Sequence, residues 1–187
     1  MQTFQPSSMM ANPSVLVIGR SGSGKTTLVK RLLDTLTPKP SRHLVFDVGT
    51  SFADIAGVET FKEYDDASIE KVMRDATKNE VVIIDNSAFD ARICGLKNFR
   101  GLSTNTRSFK TSLFVSIPFA MPSSPYTPDY VMVFPEPNAS NVKRAYDQYI
   151  APFVPGLSLE AFSETLGKLA AFSCLVIVPA SKGVFVL

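Results

Sequence analysis

The sequence predicts an α/β protein whose mostly parallel sheet is covered by helices on both faces. Three observations lead to this prediction. Short apolar segments recur along the chain, segments of helical periodicity separate most of them, and glycine, proline or polar residues bound both kinds. Strands that are apolar at every position are typical of parallel sheets, because each face of such a sheet contacts a layer of helices.

The first predicted strand covers residues 15–18, a continuous apolar run that ends at a glycine. Residues 1–14 contain two prolines and several polar residues, and we interpret them as an irregular N-terminal arm. Residues 15–187 form a single predicted domain without an internal repeat. The first helix is predicted over residues 25–33, and the prolines that follow it cannot continue a helix.

The later elements are predicted from the same two patterns. The remaining strands are predicted over residues 43–47, 81–85, 113–117, 130–134, 174–178 and 184–187. The last two would form an antiparallel hairpin that turns at Lys182 and Gly183. Helices are predicted over residues 67–77, 138–150 and 158–172, with a mixed, mainly helical segment up to about residue 100. Residues 118–128 include four prolines and must form a loop.

Composition excludes several classes of protein. The 19 basic and 17 acidic residues leave a net charge of +2, which permits contact with nucleic acid without arguing for it. The single histidine, His43, argues against a histidine-based triad or a histidine-rich metal site. We expect the two cysteines, Cys94 and Cys174, to be reduced and buried. No apolar run approaches the ~20 residues of a membrane span. We therefore expect a soluble, intracellular protein.

Residues 19–26 match G-x-x-x-x-G-K-[ST], the P-loop motif, at every required position. Glycines let the backbone wrap a phosphate, and the N-terminus of the following helix adds its dipole. Lys25 is predicted to contact the β- and γ-phosphates, and the Thr26 hydroxyl to ligate Mg²⁺. ATP and Mg²⁺ are therefore the predicted ligands. The predicted nucleotide-binding residues are Gly19, Arg20, Ser21, Gly22, Ser23, Gly24, Lys25, Thr26 and Thr27.

Asp85 ends the most apolar predicted strand, and we expect this strand to lie beside the P-loop strand. There its carboxylate would hold the magnesium shell from the second side, the Walker B role. The next residue, Asn86, stands where many ATPases have an acid that orients or deprotonates the attacking water. An amide cannot accept that proton. Asp47, Asp54 and Asp90 are alternative bases, but the sequence does not place any of them near a γ-phosphate. Nucleotide binding is therefore better supported than hydrolysis.

The order of these features resembles the genome-packaging ATPases of large DNA viruses and their relatives in the FtsK–HerA superfamily. The resemblance covers residues 15–178 and rests on the P-loop, on Ile83-Ile84-Asp85-Asn86, and on the segments 107–117, 128–134, 138–153 and 172–177. Two positions depart from the family pattern. Asn86 replaces the usual acid, and Ile117-Pro118 stands where a polar sensor, commonly glutamine, ends a strand. Ser116 is the nearest polar substitute.

The resemblance implies a RecA-like P-loop NTPase that assembles into a ring, a hexamer, and drives double-stranded DNA into a preformed capsid. A capsid vertex protein is an implied partner, and the virion or the host-cell assembly site the implied location. An arginine would reach the γ-phosphate bound by the neighbouring subunit. Arg107 is the first candidate, before Arg100 and Arg92. The implied catalytic residues are Lys25, Asp85, Asn86 and Arg107, and the implied metal ligands are Thr26 and Asp85.

The resemblance also implies loops that contact DNA phosphates without sequence preference. Lys97, Arg100 and Lys110 lie in a suitable segment, although a solvated basic surface explains them equally well. Two other classes stay open. Asn86 and Pro118 favour a nucleotide-binding structural or docking subunit with little or no hydrolysis. A small-molecule kinase shares the P-loop and the size, but loop 118–128 lacks the arginine that a phosphate lid needs.

Overall fold

The computed structural model describes residues 1–74, 79–85, 91–120 and 127–187. These residues form one eight-stranded sheet with helices on both faces, which confirms the predicted fold class. The strands are β1 Ser14–Ile18, β2 Arg42–Phe46, β3 Val58–Phe61, β4 Glu80–Ile84, β5 Thr111–Ile117, β6 Tyr130–Val133, β7 Leu175–Val178 and β8 Gly183–Val186. The helices are α1 Lys25–Leu33, α2 Asp66–Arg74, α3 Lys97–Thr104, α4 Ala139–Tyr149 and α5 Leu159–Gly167.

The strand order in the sheet is β3-β2-β4-β5-β1-β6-β7-β8. Neighbours pair in parallel from β3 to β6, whereas β7 is antiparallel to both β6 and β8. The parallel strands β1 to β6 therefore end at one edge of the sheet, which we call the carboxyl edge. The opposite edge, where these strands begin, is the amino edge. Because β7 runs the other way, it begins at the carboxyl edge.

Apolar layers cover both faces, because successive strand residues point to opposite sides. On β1, Val15 and Val17 pack in one layer with Leu28 and Leu32 of α1, and with residues of the N-terminal segment. The alternate β1 residues face a second layer that is built by α2, α3, α4 and α5. The sheet is thus buried on both sides, which explains why its central strands are mostly apolar.

Two elements differ from the predicted ones. Strand β3 was not predicted, because Val-Glu-Thr-Phe alternates apolar and polar residues on a short edge strand and lacks the continuous apolar pattern of its neighbours. The helix predicted over residues 158–172 ends at Gly167, a residue type of low helix propensity. Residues 168–173 form turns instead, in which the Ser173 N–H donates to the Ala170 carbonyl. This shorter helix places Phe172 outside regular structure.

The N-terminal segment lies along β8. Thr3 forms a parallel bridge with Val186, and the Phe4 N–H donates to the Val186 carbonyl at 2.8 Å. The Phe4 side chain is buried in the same layer as α1. Both cysteines are buried thiols, as expected. Within the described part of the chain, no helix combines the length and the hydrophobicity that crossing a bilayer would require.

Candidate nucleotide-binding site

The P-loop joins β1 to α1 at the carboxyl edge, and its glycines are required by its geometry. Gly22 and Gly24 have φ angles of +77° and +100°, a left-handed conformation that other residues rarely adopt. Gly19 has no room for a side chain, because a Cβ there would lie 2.6 Å from Ser23 Oγ and 2.8 Å from Phe134 Cβ. The loop therefore lies directly on the buried Phe134 ring and turns into the N-terminus of α1.

Lys25 is the first residue of α1, and its side chain folds back over the P-loop. Its Nζ donates to the Gly19 carbonyl at 2.6 Å and to the Arg20 carbonyl at 3.1 Å. The residue is only 6% exposed. Burial lowers the pKa of the Lys25 ammonium, and the nearby Asp85 carboxylate partly offsets that decrease. A buried ammonium beside a wrapped backbone is suited to contact a polyphosphate, since it is already stripped of most of its water.

Asp85 follows the last residue of β4 and is also 6% exposed. Its backbone N–H donates to the Phe46 carbonyl at 2.9 Å, so the end of β4 is aligned with the end of β2. The Ser116 hydroxyl of β5 donates to Asp85 Oδ1. Burial raises the pKa of the Asp85 carboxyl; the Ser116 hydrogen bond and Lys25 oppose the increase, and Asp47 adds to it. Asp85 is thus a held, poorly solvated carboxylate.

The expectation that the Asp85 strand lies beside the P-loop strand was wrong. Strand β5 intervenes, because it pairs with β1 on one side and with β4 on the other. Apolar pattern alone does not specify which strands are neighbours, and β5 is buried along its whole length as β4 is. The insertion gives Ser116 its position: it pairs with Val17 in register and bridges from the P-loop strand to Asp85.

The P-loop, Asp85 and two further segments enclose one cleft of about 380 Å³. Its lining residues are Ser21, Gly22, Gly24, Lys25, Thr26, Thr27, Ser51, Asp85 and Phe172. The cleft thus brings Lys25, Thr26 and Asp85 together, as the sequence predicted. A threonine hydroxyl and a held carboxylate on one cleft are the oxygen ligands that Mg²⁺ prefers, so the donor set fits this metal.

Two residues of the cleft were not predicted, Ser51 and Phe172. Ser51 is placed by Asp47, a buried carboxylate at the end of β2. Asp47 Oδ1 accepts from the Gly49 N–H at 2.8 Å, and Oδ2 accepts from the Ser51 N–H at 3.0 Å. An Asp followed by Gly and Ser is a signal of such a turn. Phe172 gave no signal, because the apolar spacing placed it in a helix.

Two of the three alternative bases, Asp47 and Asp54, lie among the described residues. Asp47 follows β2 near the site but does not line the cleft, and both of its oxygens already accept backbone N–H groups. Asp54 forms an exposed ion pair with Lys30 at 2.6 Å and does not line the cleft. Asn86 and Asp90 lie outside the described residues. Pro118 directly follows β5 and has no polar side chain. Ser116 is therefore the polar side chain nearest to the end of this strand.

Arg107 lies far from its own P-loop. It precedes β5 at the amino edge, where it forms an ion pair with Asp129 at 3.0 Å. Asp129 Oδ2 in turn accepts from the N–H of Ser14, the first residue of β1. The length of β1, roughly 15 Å for a five-residue strand, separates this ion pair from the P-loop. Among the other predicted basic residues, Arg92, Lys97, Arg100 and Lys110 are exposed.

Comparisons with known proteins agree with this geometry. The family model of the HerA helicase central domain matches residues 7–154. The genome packaging NTPase B204 of Sulfolobus turreted icosahedral virus 2, solved in complex with AMPPCP, is similar in structure, with a TM-score of 0.72, 18% identity, and 95% of this chain and 98% of that chain covered. B204 of Sulfolobus turreted icosahedral virus, a DNA-packaging ATPase, is also similar in structure. Its TM-score is 0.71 at 22% identity, and the match covers 95% of this chain and 98% of that chain.

A more distant likeness extends to the conjugation coupling protein TcpA of pCW3, with a TM-score of 0.58, 14% identity, and 94% of this chain and 59% of that chain covered. No curated protein sequence matches the chain significantly. At these identities the solved structures establish the fold, a P-loop NTPase sheet. The family match spans most of the chain, and it confirms the resemblance in the sequence. The chain belongs to the HerA helicase central-domain family, within the FtsK–HerA superfamily of packaging ATPases and their relatives.

Proposed function

We propose that this protein binds ATP with Mg²⁺ and hydrolyses it to drive double-stranded DNA into a viral capsid. The observation that carries the proposal is the convergence of Lys25, Thr26 and Asp85 on one cleft at the end of a P-loop. Family membership supports an NTPase, and the B204 proteins with a similar fold are described as packaging enzymes. In the proposal, residues 15–187 are the ATPase domain and residues 1–14 are its arm.

The residues have separable roles. Lys25 exchanges its two carbonyl partners, on Gly19 and Arg20, for β- and γ-phosphate oxygens. Thr26 and Asp85 hold Mg²⁺, which neutralises charge on the β- and γ-phosphates. Ser116 orients the Asp85 carboxylate through its hydrogen bond and so acts through Asp85. The P-loop glycines allow backbone N–H groups to approach the phosphates closely.

The position of Arg107 supports a role between subunits. An arginine at the amino edge cannot serve its own cleft at the carboxyl edge, so we assign it to the γ-phosphate of a neighbour in a homo-oligomeric ring, a hexamer. Arg107 would have to break its ion pair with Asp129, in which the arginine side chain is 58% exposed. Water screens the exposed arginine, and the Asp129 carboxylate, 18% exposed, keeps its hydrogen bond from the Ser14 N–H, so the exchange costs little. The exposed basic residues Lys97, Arg100 and Lys110 are proposed DNA-phosphate contacts. A capsid vertex protein is the proposed docking partner.

A second function, ATP binding without turnover, is favoured by one observation. Among the described residues that line the cleft, Asp85 is the only carboxylate. Asp85 is committed to the metal in the proposal, and Asp47 already accepts two N–H groups. With an amide at position 86, the chain would then serve as a nucleotide-binding structural subunit.

Phosphate release from ATP separates the two functions. We expect the full-length protein with Mg²⁺ to release phosphate, to do so faster when double-stranded DNA is added, and to lose both activities in Lys25→Ala. The blank is that variant, measured at equal concentration with and without DNA. Tight ATP binding with no release under either condition would refute the motor and establish the binding subunit.

A further inference from the structure

Phe172 stands at the mouth of the nucleotide cleft, and 76% of this residue is exposed. We propose that this ring is the platform on which the purine base of the bound nucleotide stacks. The inference deepens the proposed function and rests on it, because it requires a nucleoside triphosphate in the P-loop. It assigns the base-binding part of the site, for which the P-loop motif contains no information.

The fold holds Phe172 at the carboxyl edge. Strand β7 is antiparallel to β6, with Leu175 paired to Val133, so the residues just before β7 reach the edge where the P-loop lies. Cys174 exchanges two backbone hydrogen bonds with Leu187, at 2.9 Å and 3.0 Å, which ties the start of β7 to the end of the β8 segment. Phe172 is two residues from this anchor.

The Phe172 ring lies against the P-loop backbone. A Cβ built on Gly24 would be 3.1 Å from Phe172 Cδ1, so the ring edge is in contact range of the glycine that precedes Lys25. The buried ring of Phe134 lies nearby on the same glycine, with its Cε1 3.7 Å from that Cβ position. Gly24 is therefore required twice, for its φ angle and for the space that Phe172 occupies.

The backbone conformation at position 172 indicates that folding alone does not favour phenylalanine there. Its φ angle is +64°, in the left-handed region where glycine or asparagine is usual and a bulky side chain is an outlier. A phenylalanine that is 76% exposed gains little from burial to offset this strain. Strained residues cluster at ligand-binding sites. A strained, exposed aromatic ring on the lip of a phosphate cleft is explained by contact with a ligand that covers it.

The ligand chemistry follows from the position of the lip. With the β- and γ-phosphates held by Lys25, the α-phosphate, ribose and base must leave the cleft through its mouth, where Phe172 lies. Aromatic stacking recognises ring area and not the hydrogen-bonding edge of a base. We therefore expect purine nucleotides to bind more tightly than pyrimidine nucleotides, and ATP and GTP to bind with similar affinity.

The test compares ATP with inorganic tripolyphosphate, which has the phosphates but no base, by calorimetry in the presence of Mg²⁺. We expect Phe172→Ala to weaken ATP binding by about 5- to 150-fold, the range for loss of one stacked base. Tripolyphosphate affinity should be unchanged in this variant. Phe172→Trp should keep ATP affinity within about twofold, because it preserves the stacking surface.

The matched control is Phe119→Ala, a second exposed phenylalanine near the carboxyl edge that does not line the cleft. Phe172→Gly, which relaxes the left-handed backbone, guards against misfolding and should lose ATP affinity as the alanine variant does. Unchanged ATP affinity in Phe172→Ala would overturn the platform, as would an equal loss of tripolyphosphate affinity. If Lys25→Ala bound tripolyphosphate as tightly as the wild type does, that result would instead overturn the proposed function.

Discussion

Lys25→Ala is expected to reduce ATP affinity by about 100-fold or more, the largest binding effect of any single substitution in this chain. The ammonium is buried and is already held over the P-loop by the Gly19 and Arg20 carbonyls. Removing it leaves a polyphosphate in a poorly solvated cleft without its principal cation. Calorimetry with ATP and Mg²⁺ measures the loss directly.

Lys30→Ala is the matched control for that experiment. Lys30 lies on the same helix, but its Nζ pairs with Asp54 on the surface, away from the cleft. Exposed pairs of this kind are screened by water and contribute little to stability, so the variant should fold and bind ATP as the wild type does. If Lys25→Ala bound ATP with the affinity of Lys30→Ala, the P-loop would not be the nucleotide site.

Asp85→Asn is expected to have the second-largest effect: the increase in ATP affinity on adding Mg²⁺ should be lost. Asparagine keeps the acceptor for Ser116 but removes the negative charge that the metal needs. We expect any Mg²⁺-dependent turnover to fall by about 100-fold or more. Titrating ATP with and without Mg²⁺ measures the affinity effect whether or not the protein hydrolyses ATP.

The same substitution should raise the melting temperature of the nucleotide-free protein at neutral pH by a few degrees. Burial raises the pKa of Asp85, so the folded state binds this proton more readily than the unfolded state does. Above the folded pKa, the charged carboxylate therefore lowers stability, and asparagine removes that cost. The stability difference between variant and wild type should shrink as pH falls through the folded pKa. It should vanish below the unfolded pKa, where both states are protonated.

Asp47→Asn is the contrasting control, because it changes a second buried aspartate at the end of a neighbouring strand. Both Asp47 oxygens accept backbone N–H groups, and an amide presents its NH₂ to one of these donors. We expect a loss of about 1–2 kcal/mol in unfolding free energy. A fall in melting temperature for Asp85→Asn equal to that of Asp47→Asn would contradict the electrostatic account of Asp85.

The sheet was predictable because its strands are buried on both faces. Residues 15–18 and 81–84 are apolar without interruption, and such runs have few other interpretations. Strand order was not predictable, since no pattern in 113–117 shows that β5 separates β4 from β1. Strand β3 was missed because it is short and lies at the edge of the sheet, where one polar residue in two is tolerated.

The phosphate-binding half of the site was predictable for a different reason. Gly22, Gly24 and Lys25 are adjacent in sequence, so a local motif contains their geometry. Strand pairing alone brings Ser116 of β5 to Asp85, and it alone brings Phe172, in the turn before β7, to the cleft. Contacts that depend on tertiary structure leave no local signal, which is why the base-binding side of the cleft was invisible in the sequence.

A crystal structure of the protein with Mg²⁺ and a non-hydrolysable ATP analogue tests the central claim most directly. We expect the triphosphate within residues 19–27, with Lys25 Nζ transferred from the Gly19 and Arg20 carbonyls to the β- and γ-phosphates. The metal should lie between Thr26 and Asp85. A nucleotide bound elsewhere, with Lys25 still hydrogen-bonded to both carbonyls, would contradict the account.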